Sequence, residues 1–262
     1  MRKQILFRGE PLYFYEKGKG RAMVLLHGFL GSADLWEKLS PRWAKRFRVI
    51  QIELPGHGSS AALGYVQNME LMAEAVQAVI SELKLRTVVL VGHSLGGYVA
   101  LAFAEAYPDL LRGLILINSS AKGDSKERKM SRDKFAKLLK ENKDRALRQL
   151  VPTFFQSKQR GTHWKVKKYL QWARACSLQG IIATVEGMKR RKEREIILKF
   201  SPYPYLYLIG EKDPLFNIDE GKKEASLGER GDYKILKKAS HMAPLEDPEA
   251  VYKWVKEFSR SN

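Results

Sequence analysis

Short apolar runs alternate with longer stretches of helical spacing along most of the chain. Runs continuous enough to predict strands buried on both faces occur at residues 22–26, 47–52, 87–91, 114–117 and 203–209. Helical spacing covers residues 69–83, 95–107 and 248–258. This alternation predicts a doubly wound α/β protein with a parallel sheet, right-handed crossovers and helices on both faces. Residues 4–7 and 12–15 predict an antiparallel hairpin added to that sheet.

The positive charge of the chain is concentrated in its middle. The 262 residues carry a formal net charge of +18, to which residues 121–200 contribute +15 through 23 basic and 8 acidic residues. This segment shows helical spacing and no convincing strand, so we predict a boundary near residue 121. A positive charge of this size is compatible with nucleic acid, a membrane surface or an acidic substrate as a partner.

Several classes of protein are disfavoured by what the sequence lacks. The single cysteine, Cys176, excludes an intrachain disulfide and a multi-cysteine metal site. The basic start lacks the apolar run of about 7–15 residues that a signal peptide needs. No stretch approaches the ~18 apolar residues of a membrane span. We therefore expect a cytoplasmic protein, whose oligomeric state the sequence leaves open.

Ser94 lies in a motif that predicts a nucleophile. The stretch from Gly92 to Gly96 fits G-x-S-x-G, follows a predicted strand and opens a predicted helix. A nucleophile on such a strained turn needs small neighbours two residues before and after it. The helix behind it supplies a positive dipole end and free N–H groups. The N–H groups of Leu95 and of Phe29, in the loop after residues 22–26, are predicted to form an oxyanion hole.

Two further loops, each after a predicted strand, supply partners for this serine. Asp213 follows residues 203–209 and can orient a histidine and stabilise its protonated form, with Asp124 as the alternative. His241 lies late in the chain on a loop after residues 233–236, which makes it the candidate general base. The order Ser94, Asp213, His241 is that of the α/β-hydrolase triad.

These residues together resemble the α/β-hydrolase superfamily along most of the chain. Residues 53–60 are also similar to its D-x-x-G-x-G-x-S loop, with Glu53 in place of the usual aspartate, a change that we expect to affect loop anchoring. The resemblance implies a mostly parallel eight-stranded sheet with a helical cap inserted after the sixth strand. Residues 1–120 and 201–262 then form the core, and residues 121–200 form a strongly basic cap.

The resemblance also implies roles for the site residues. Ser94 is the nucleophile, His241 the general base and then acid, and Asp213 the residue that orients it. The expected activity is that of a carboxylesterase, which cleaves an ester or similar acyl bond of a small molecule through an acyl-enzyme and needs no metal or organic cofactor. The residues predicted to line the substrate pocket are His93, Phe154, Trp164, Trp172 and Met242.

Two other functions stay open at this point. Residues 26–32 and 54–58 are similar to the menaquinone-pathway lyase and to C–C bond hydrolases, which act on anionic substrates. The chain could also be a non-catalytic ligand-binding member of the fold. We do not expect a nucleic-acid partner, because Trp164, Tyr169 and Trp172 at helical spacing favour a pocket wall over base stacking. Peripheral contact with an anionic membrane is compatible with the charge.

Overall fold

One eight-stranded sheet organises the chain in this computed structural model, which describes residues 2–156 and 162–262. The strands are β1 (Arg2–Phe7), β2 (Glu10–Lys17), β3 (Ala22–Leu26), β4 (Arg48–Ile52), β5 (Val88–His93), β6 (Leu111–Ile117), β7 (Tyr205–Gly210) and β8 (Gly231–Leu236). Their order is β1-β2-β4-β3-β5-β6-β7-β8. β2 pairs antiparallel with β1 and β4, and all other neighbours are parallel. The predicted fold class, including the hairpin, is confirmed.

Helices connect the parallel strands. They are α1 (Ser40–Trp43), α2 (Met69–Glu82), α3 (Leu95–Ala106), α4 (Lys126–Glu141), α5 (Lys143–Leu150), α6 (Thr162–Ala175), α7 (Leu178–Lys189), α8 (Glu195–Lys199), α9 (Ile218–Ala225), α10 (Ala243–Glu246) and α11 (Pro248–Ser261). Several helices begin directly after a polar residue whose side chain accepts a hydrogen bond from a backbone N–H of the first turn. Asn68 caps α2 and Ser125 caps α4 in this way.

The central strands form the core of the sheet. Every residue of β3, β5 and β7 is buried, as their continuous apolar sequences predict. β7 begins at Tyr205, directly after Pro204, because proline has no N–H for the ladder. β6 begins three residues earlier than the apolar run suggested, since Leu111 pairs with Val88 across an irregularity in the register.

Residues 121–200, here called the inserted segment, lie between β6 and β7 and contain α4 to α8. Their described residues form no strand. The segment attaches closely to the loop before α2, where the Gln67 N–H donates to the Ala183 carbonyl at 2.9 Å. A side chain at Gly187 would overlap the Gln67 carbonyl. Arg194 adds ion pairs with Glu70 at 2.7 Å and Glu105 at 2.9 Å.

Most of the basic side chains of α4 face solvent. The exposed lysines of this helix are Lys126, Lys129, Lys134, Lys137 and Lys140. Two arginines of the segment, Arg191 and Arg194, are instead buried and paired with carboxylates. The charge of the segment is therefore largely that of a solvated surface.

Candidate active site

Ser94 occupies a sharp turn between β5 and α3. Its φ of 51° and ψ of −115° lie where residues other than glycine are rarely found. The turn depends on its glycines, because a Cβ at Gly92 would overlap the Gly96 carbonyl and one at Gly96 would overlap the Leu26 carbonyl. The strained turn holds the Ser94 hydroxyl above the end of the sheet.

His241 lies between Ser94 and Asp213. Its Nε2 is 2.9 Å from Ser94 Oγ, and its Nδ1 is 2.8 Å from Asp213 Oδ2. A carboxylate only accepts hydrogen bonds, so Nδ1–H donates to Asp213 and Nε2 is left to accept from the serine hydroxyl. The Asp213 side chain is fully buried, and its second oxygen accepts from the N–H groups of Leu215 and Phe216 at 2.7 and 3.1 Å. The carboxylate is thereby held in one orientation.

The three side chains meet because their loops all follow parallel strands. Ser94 follows β5, Asp213 follows β7 and His241 follows β8, so all three lie at the carboxyl edge of the sheet. Asn118, directly after β6, ties these loops together. Its side-chain N–H groups donate to the carbonyls of Ser240 at 2.6 Å and His241 at 2.9 Å, and its oxygen accepts from Gly210 N–H at 2.7 Å.

Asn118 was missed by the sequence reasoning. The available signal was an asparagine at the first position after a predicted buried strand, where ligand-facing and positioning residues gather. Its φ of 46° is a conformation that asparagine tolerates better than most residues. Its hydrogen bonds to the Ser240 and His241 carbonyls orient the backbone at His241.

His93 holds the same backbone from the other side. Its Nε2 donates to the His241 carbonyl at 2.8 Å, and its Nδ1 has no partner among the described residues. Burial lowers its pKa to about 3, so the ring is neutral. It also lines the cavity, as predicted for a pocket residue.

The loop after β3 lies directly against Ser94. A Cβ at Gly28 would lie 3.4 Å from Ser94 Cβ, and β3 and β5 are neighbours that pair Leu26 with Gly92. Leu95 is the first residue of α3, where a backbone N–H has no partner within the helix. Phe29 and Leu95 thus flank the serine, and their role as an oxyanion hole stays a prediction.

A cavity of about 320 Å³ opens onto Ser94 and His241. It lies between the sheet loops and the inserted segment. Its walls are mostly aromatic and apolar, with two arginines. The other lining residues are Phe29, His93, Tyr98, Asn118, Arg128, Ser131, Arg132, Phe135, Leu150, Phe154, Tyr169, Met188, Pro214, Leu215, Phe216 and Met242. Of the five predicted pocket residues, the structure brings His93, Phe154 and Met242 to this cavity.

Trp164 and Trp172 do not line the cavity, which corrects the sequence-based prediction. Trp164 is 45% exposed and lies under the Lys38 ammonium, and Trp172 packs beside Tyr169. Five residues turn a helix by about 500°, so Trp164 and Tyr169 point about 140° apart. Tyr169 is the residue of α6 that lines the cavity, and its hydroxyl donates to the Phe29 carbonyl at 2.7 Å.

Asp124, the alternative partner for the histidine, serves a different pair of residues. Its buried carboxylate forms ion pairs with Arg132 and Arg191. Burial alone would raise its pKa, but these guanidinium groups outweigh that effect and lower it. Asp213 is the carboxylate that contacts His241.

The remaining motif residues anchor loops. The Nδ1–H of His27 donates to the Gly28 carbonyl at 2.8 Å, and its Nε2 accepts from Leu54 N–H at 3.1 Å. Glu53 accepts from Ser59 N–H at 2.7 Å, in line with the expected anchoring role. Neither side chain lines the cavity.

Buried histidines make the fold sensitive to acid. Burial lowers the pKa of His27 and His93 to about 3 and that of His57 to about 4. The unfolded chain takes up these protons near pH 6.5 and the folded chain does not. The free energy of unfolding should therefore fall as the pH drops from about 6.5 toward 4, by up to about 1.4 kcal/mol per pH unit for each histidine. Urea titrations across that range measure the slope.

A matched pair of variants isolates one histidine. His57→Asn keeps a donor for the Pro55 carbonyl, which His57 Nδ1 contacts at 3.1 Å, and removes the titrating ring. It should flatten the pH dependence, and His163→Gln, at the exposed start of α6, is the matched control variant. Equal slopes for the wild type and His57→Asn would contradict the assignment.

The described residues provide neither a metal centre nor a membrane-spanning helix. In residues 2–156 and 162–262, no group of three or more His, Cys, Asp or Glu side chains is arranged to hold a metal ion. None of the described helices is both long and apolar enough to cross a membrane.

Comparison with known proteins places the chain in a family. Residues 21–248 match the model of the alpha/beta hydrolase fold. A thermophilic esterase from Thermogutta terrifontis, determined with malate bound, is 29% identical and superposes with a TM-score of 0.94 over 100% of this chain and 98% of its own. The enol-lactonase from Burkholderia xenovorans LB400 is 20% identical, with a TM-score of 0.91 over 98% and 100% of the two chains, which shows a shared fold alone.

The chain is also similar to several curated sequences. The dihydrolipoyllysine-residue acetyltransferase component of the acetoin cleaving system from Pseudomonas putida is 28% identical over 264 residues, which cover 97% of this chain and 68% of that protein. Several other relatives match over less than half of their own length. The chain belongs to the alpha/beta hydrolase fold family.

Proposed function

We propose that the protein is a serine hydrolase that cleaves an ester or similar acyl bond of a small molecule. The observation that carries the proposal is the hydrogen-bonded series from Asp213 through His241 to Ser94, at 2.8 and 2.9 Å, on the wall of a cavity. The strained turn under Ser94 supports it, because such strain persists where a nucleophile must be presented. The esterase from Thermogutta terrifontis, similar over the whole chain, supports the same reaction class.

The geometry suits acyl transfer in two halves. His241 Nε2 takes the Ser94 proton as Oγ attacks the carbonyl carbon, and the oxyanion binds the N–H groups of Phe29 and Leu95. The protonated His241 then gives its proton to the departing alcohol, which leaves an acyl-serine. In the second half His241 deprotonates a water, which attacks the acyl group, and the proton returns to Ser94 as the carboxylic acid departs.

In this proposal the inserted segment is a cap over the site, and residues 1–120 and 201–262 form the catalytic core. Eight described residues of this segment line the cavity opposite the sheet loops, and Phe135, Phe154, Tyr169 and Met188 are among them. Removing water from the site strengthens the electrostatic interactions that stabilise the oxyanion. The cap also sets the shape of the acyl pocket.

A series of p-nitrophenyl esters of increasing acyl length tests the function. We expect the highest kcat/KM on short to medium chains, because a cavity of about 320 Å³ is at the small end of ligand sites, which span about 300–1,000 Å³. Release of p-nitrophenol measures the rate. Maximal activity on chains of about twelve carbons or more would contradict the enclosed pocket and indicate an open, lipase-like groove.

Product analysis separates this function from the second candidate. Two arginines in the cavity wall, Arg128 and Arg132, also suit the anionic substrate of a lyase or C–C bond hydrolase. Hydrolysis adds one water to the substrate and yields an acid and an alcohol. Elimination of pyruvate without uptake of water would instead assign a lyase.

A further inference from the structure

We propose that the preferred substrate is an ester that carries a free carboxylate, and that Arg128 on α4 binds this carboxylate. The inference rests on the proposed function, since it names the substrate class of the same site. Under this inference, the preference for a carboxylate-bearing substrate comes from one side chain of the inserted segment, that of Arg128.

The cavity has charge of only one sign among the described residues. Arg128 and Arg132, one helical turn apart on α4, line the same cavity as Ser94. No aspartate or glutamate of the described chain is among its lining residues. The other walls are mostly aromatic and apolar, so an anionic group of the substrate would find its counter-charge on α4.

Arg132 is already paired inside the protein. It shares the buried Asp124 carboxylate with Arg191, whose guanidinium also lies 4.0 Å from the centre of the Tyr98 ring. One negative charge therefore faces two positive charges, and this cluster keeps a net charge of +1. Its local function is to hold the start of α4 against the rest of the inserted segment, and its excess charge adds to the attraction for an anion.

Arg128 is held in place without being neutralised. Its guanidinium donates to the carbonyl of Leu215, two residues after Asp213, which ties α4 to the loop beside the candidate triad. No carboxylate in residues 2–156 or 162–262 forms an ion pair with it. A neutral carbonyl occupies one of five guanidinium donors, so the charge and several donors stay free at the cavity wall. A planar carboxylate can accept two parallel hydrogen bonds from such a group.

The test compares substrates that differ only in charge. Monomethyl esters of succinic, glutaric and adipic acid are paired with their primary amides, which have nearly the same shape and no charge. We expect wild-type kcat/KM to be about tenfold or more higher for at least one acid than for its amide. Methanol release at constant pH gives the rates.

Variants of α4 assign the effect to one residue. Arg128→Gln should lower kcat/KM for the acid by about tenfold, mostly through a higher KM. It should change kcat/KM for the amide by less than about twofold. Arg128→Lys should recover part of the loss, because it keeps the charge but not the bidentate geometry. Lys129→Gln removes an equal charge from the next residue of the helix, which does not line the cavity, and should change kcat/KM for neither substrate by more than about twofold.

The outcomes separate this inference from the proposed function. If the acid and the amide are hydrolysed equally well, or if Arg128→Gln slows both alike, the carboxylate-binding role is wrong while the esterase reaction stands. The same conclusion follows if only neutral p-nitrophenyl esters are hydrolysed. Hydrolysis of every ester by Ser94→Ala at the wild-type rate would overturn the proposed function instead.

Discussion

Ser94→Ala is expected to lower the kcat for ester hydrolysis by at least about a thousandfold. The variant removes the hydroxyl that lies 2.9 Å from His241 Nε2 and leaves the rest of the hydrogen-bonded series in place. No acyl-serine can then form, so covalent labelling of the intact protein by a phosphonate probe should also disappear. Mass spectrometry of labelled protein and p-nitrophenyl ester kinetics measure the two effects.

Ser131→Ala is the matched control for this prediction. Ser131 is a second serine of the same cavity wall, on α4, and it has no place in the proposed reaction. Its replacement should change kcat by less than about twofold and leave labelling intact. Equal labelling of Ser94→Ala and the wild type would rule out nucleophilic catalysis at this position and favour a ligand-binding member of the fold.

Asp213→Asn is expected to lower kcat by about a thousandfold or more with little change in the fold. Asp213 Oδ1 accepts from the N–H groups of Leu215 and Phe216, so the amide oxygen of asparagine takes that side. The amide NH₂ then faces His241 Nδ1 and forces it to accept. The ring proton moves to Nε2, which can no longer accept the Ser94 proton. Kinetics at several pH values and a thermal unfolding curve separate activity from stability.

Asp124→Asn tests the competing assignment. This change weakens the pairing of a buried carboxylate with Arg132 and Arg191, so we expect a lower free energy of unfolding and less than a tenfold loss of kcat. A large loss of kcat in Asp124→Asn together with a small one in Asp213→Asn would reverse the two roles.

Features that depend on neighbouring residues in the chain were predictable. Continuous apolar runs identify β3, β5 and β7, because a strand covered on both faces must be apolar at every position. The glycines around Ser94 indicate the turn, since no larger residue fits next to the Gly96 and Leu26 carbonyls. Parallel strands then bring the loops that carry Ser94, Asp213 and His241 to one edge without any further information.

Features that depend on how distant elements pack were not predictable. The sequence shows a stripe of aromatic residues on α6 but not which side of that helix meets the core, and so Trp164 and Trp172 were wrongly assigned to the pocket. The role of Asn118 was not predictable for the same reason, because its three hydrogen bonds all reach residues about 90 or more positions away.

The sequence by itself determined the fold class, the order of the candidate triad and the location of the excess charge in residues 121–200. Only the tertiary structure decided which carboxylate contacts His241, which face of α6 is inward and which of the many basic side chains reach the cavity. The reason is that strands, helices and tight turns depend on the apolar pattern and steric contacts of residues that are close together in the chain. The direction of a side chain on an inserted helix depends instead on contacts with residues far along the chain, such as the Leu215 carbonyl that holds Arg128.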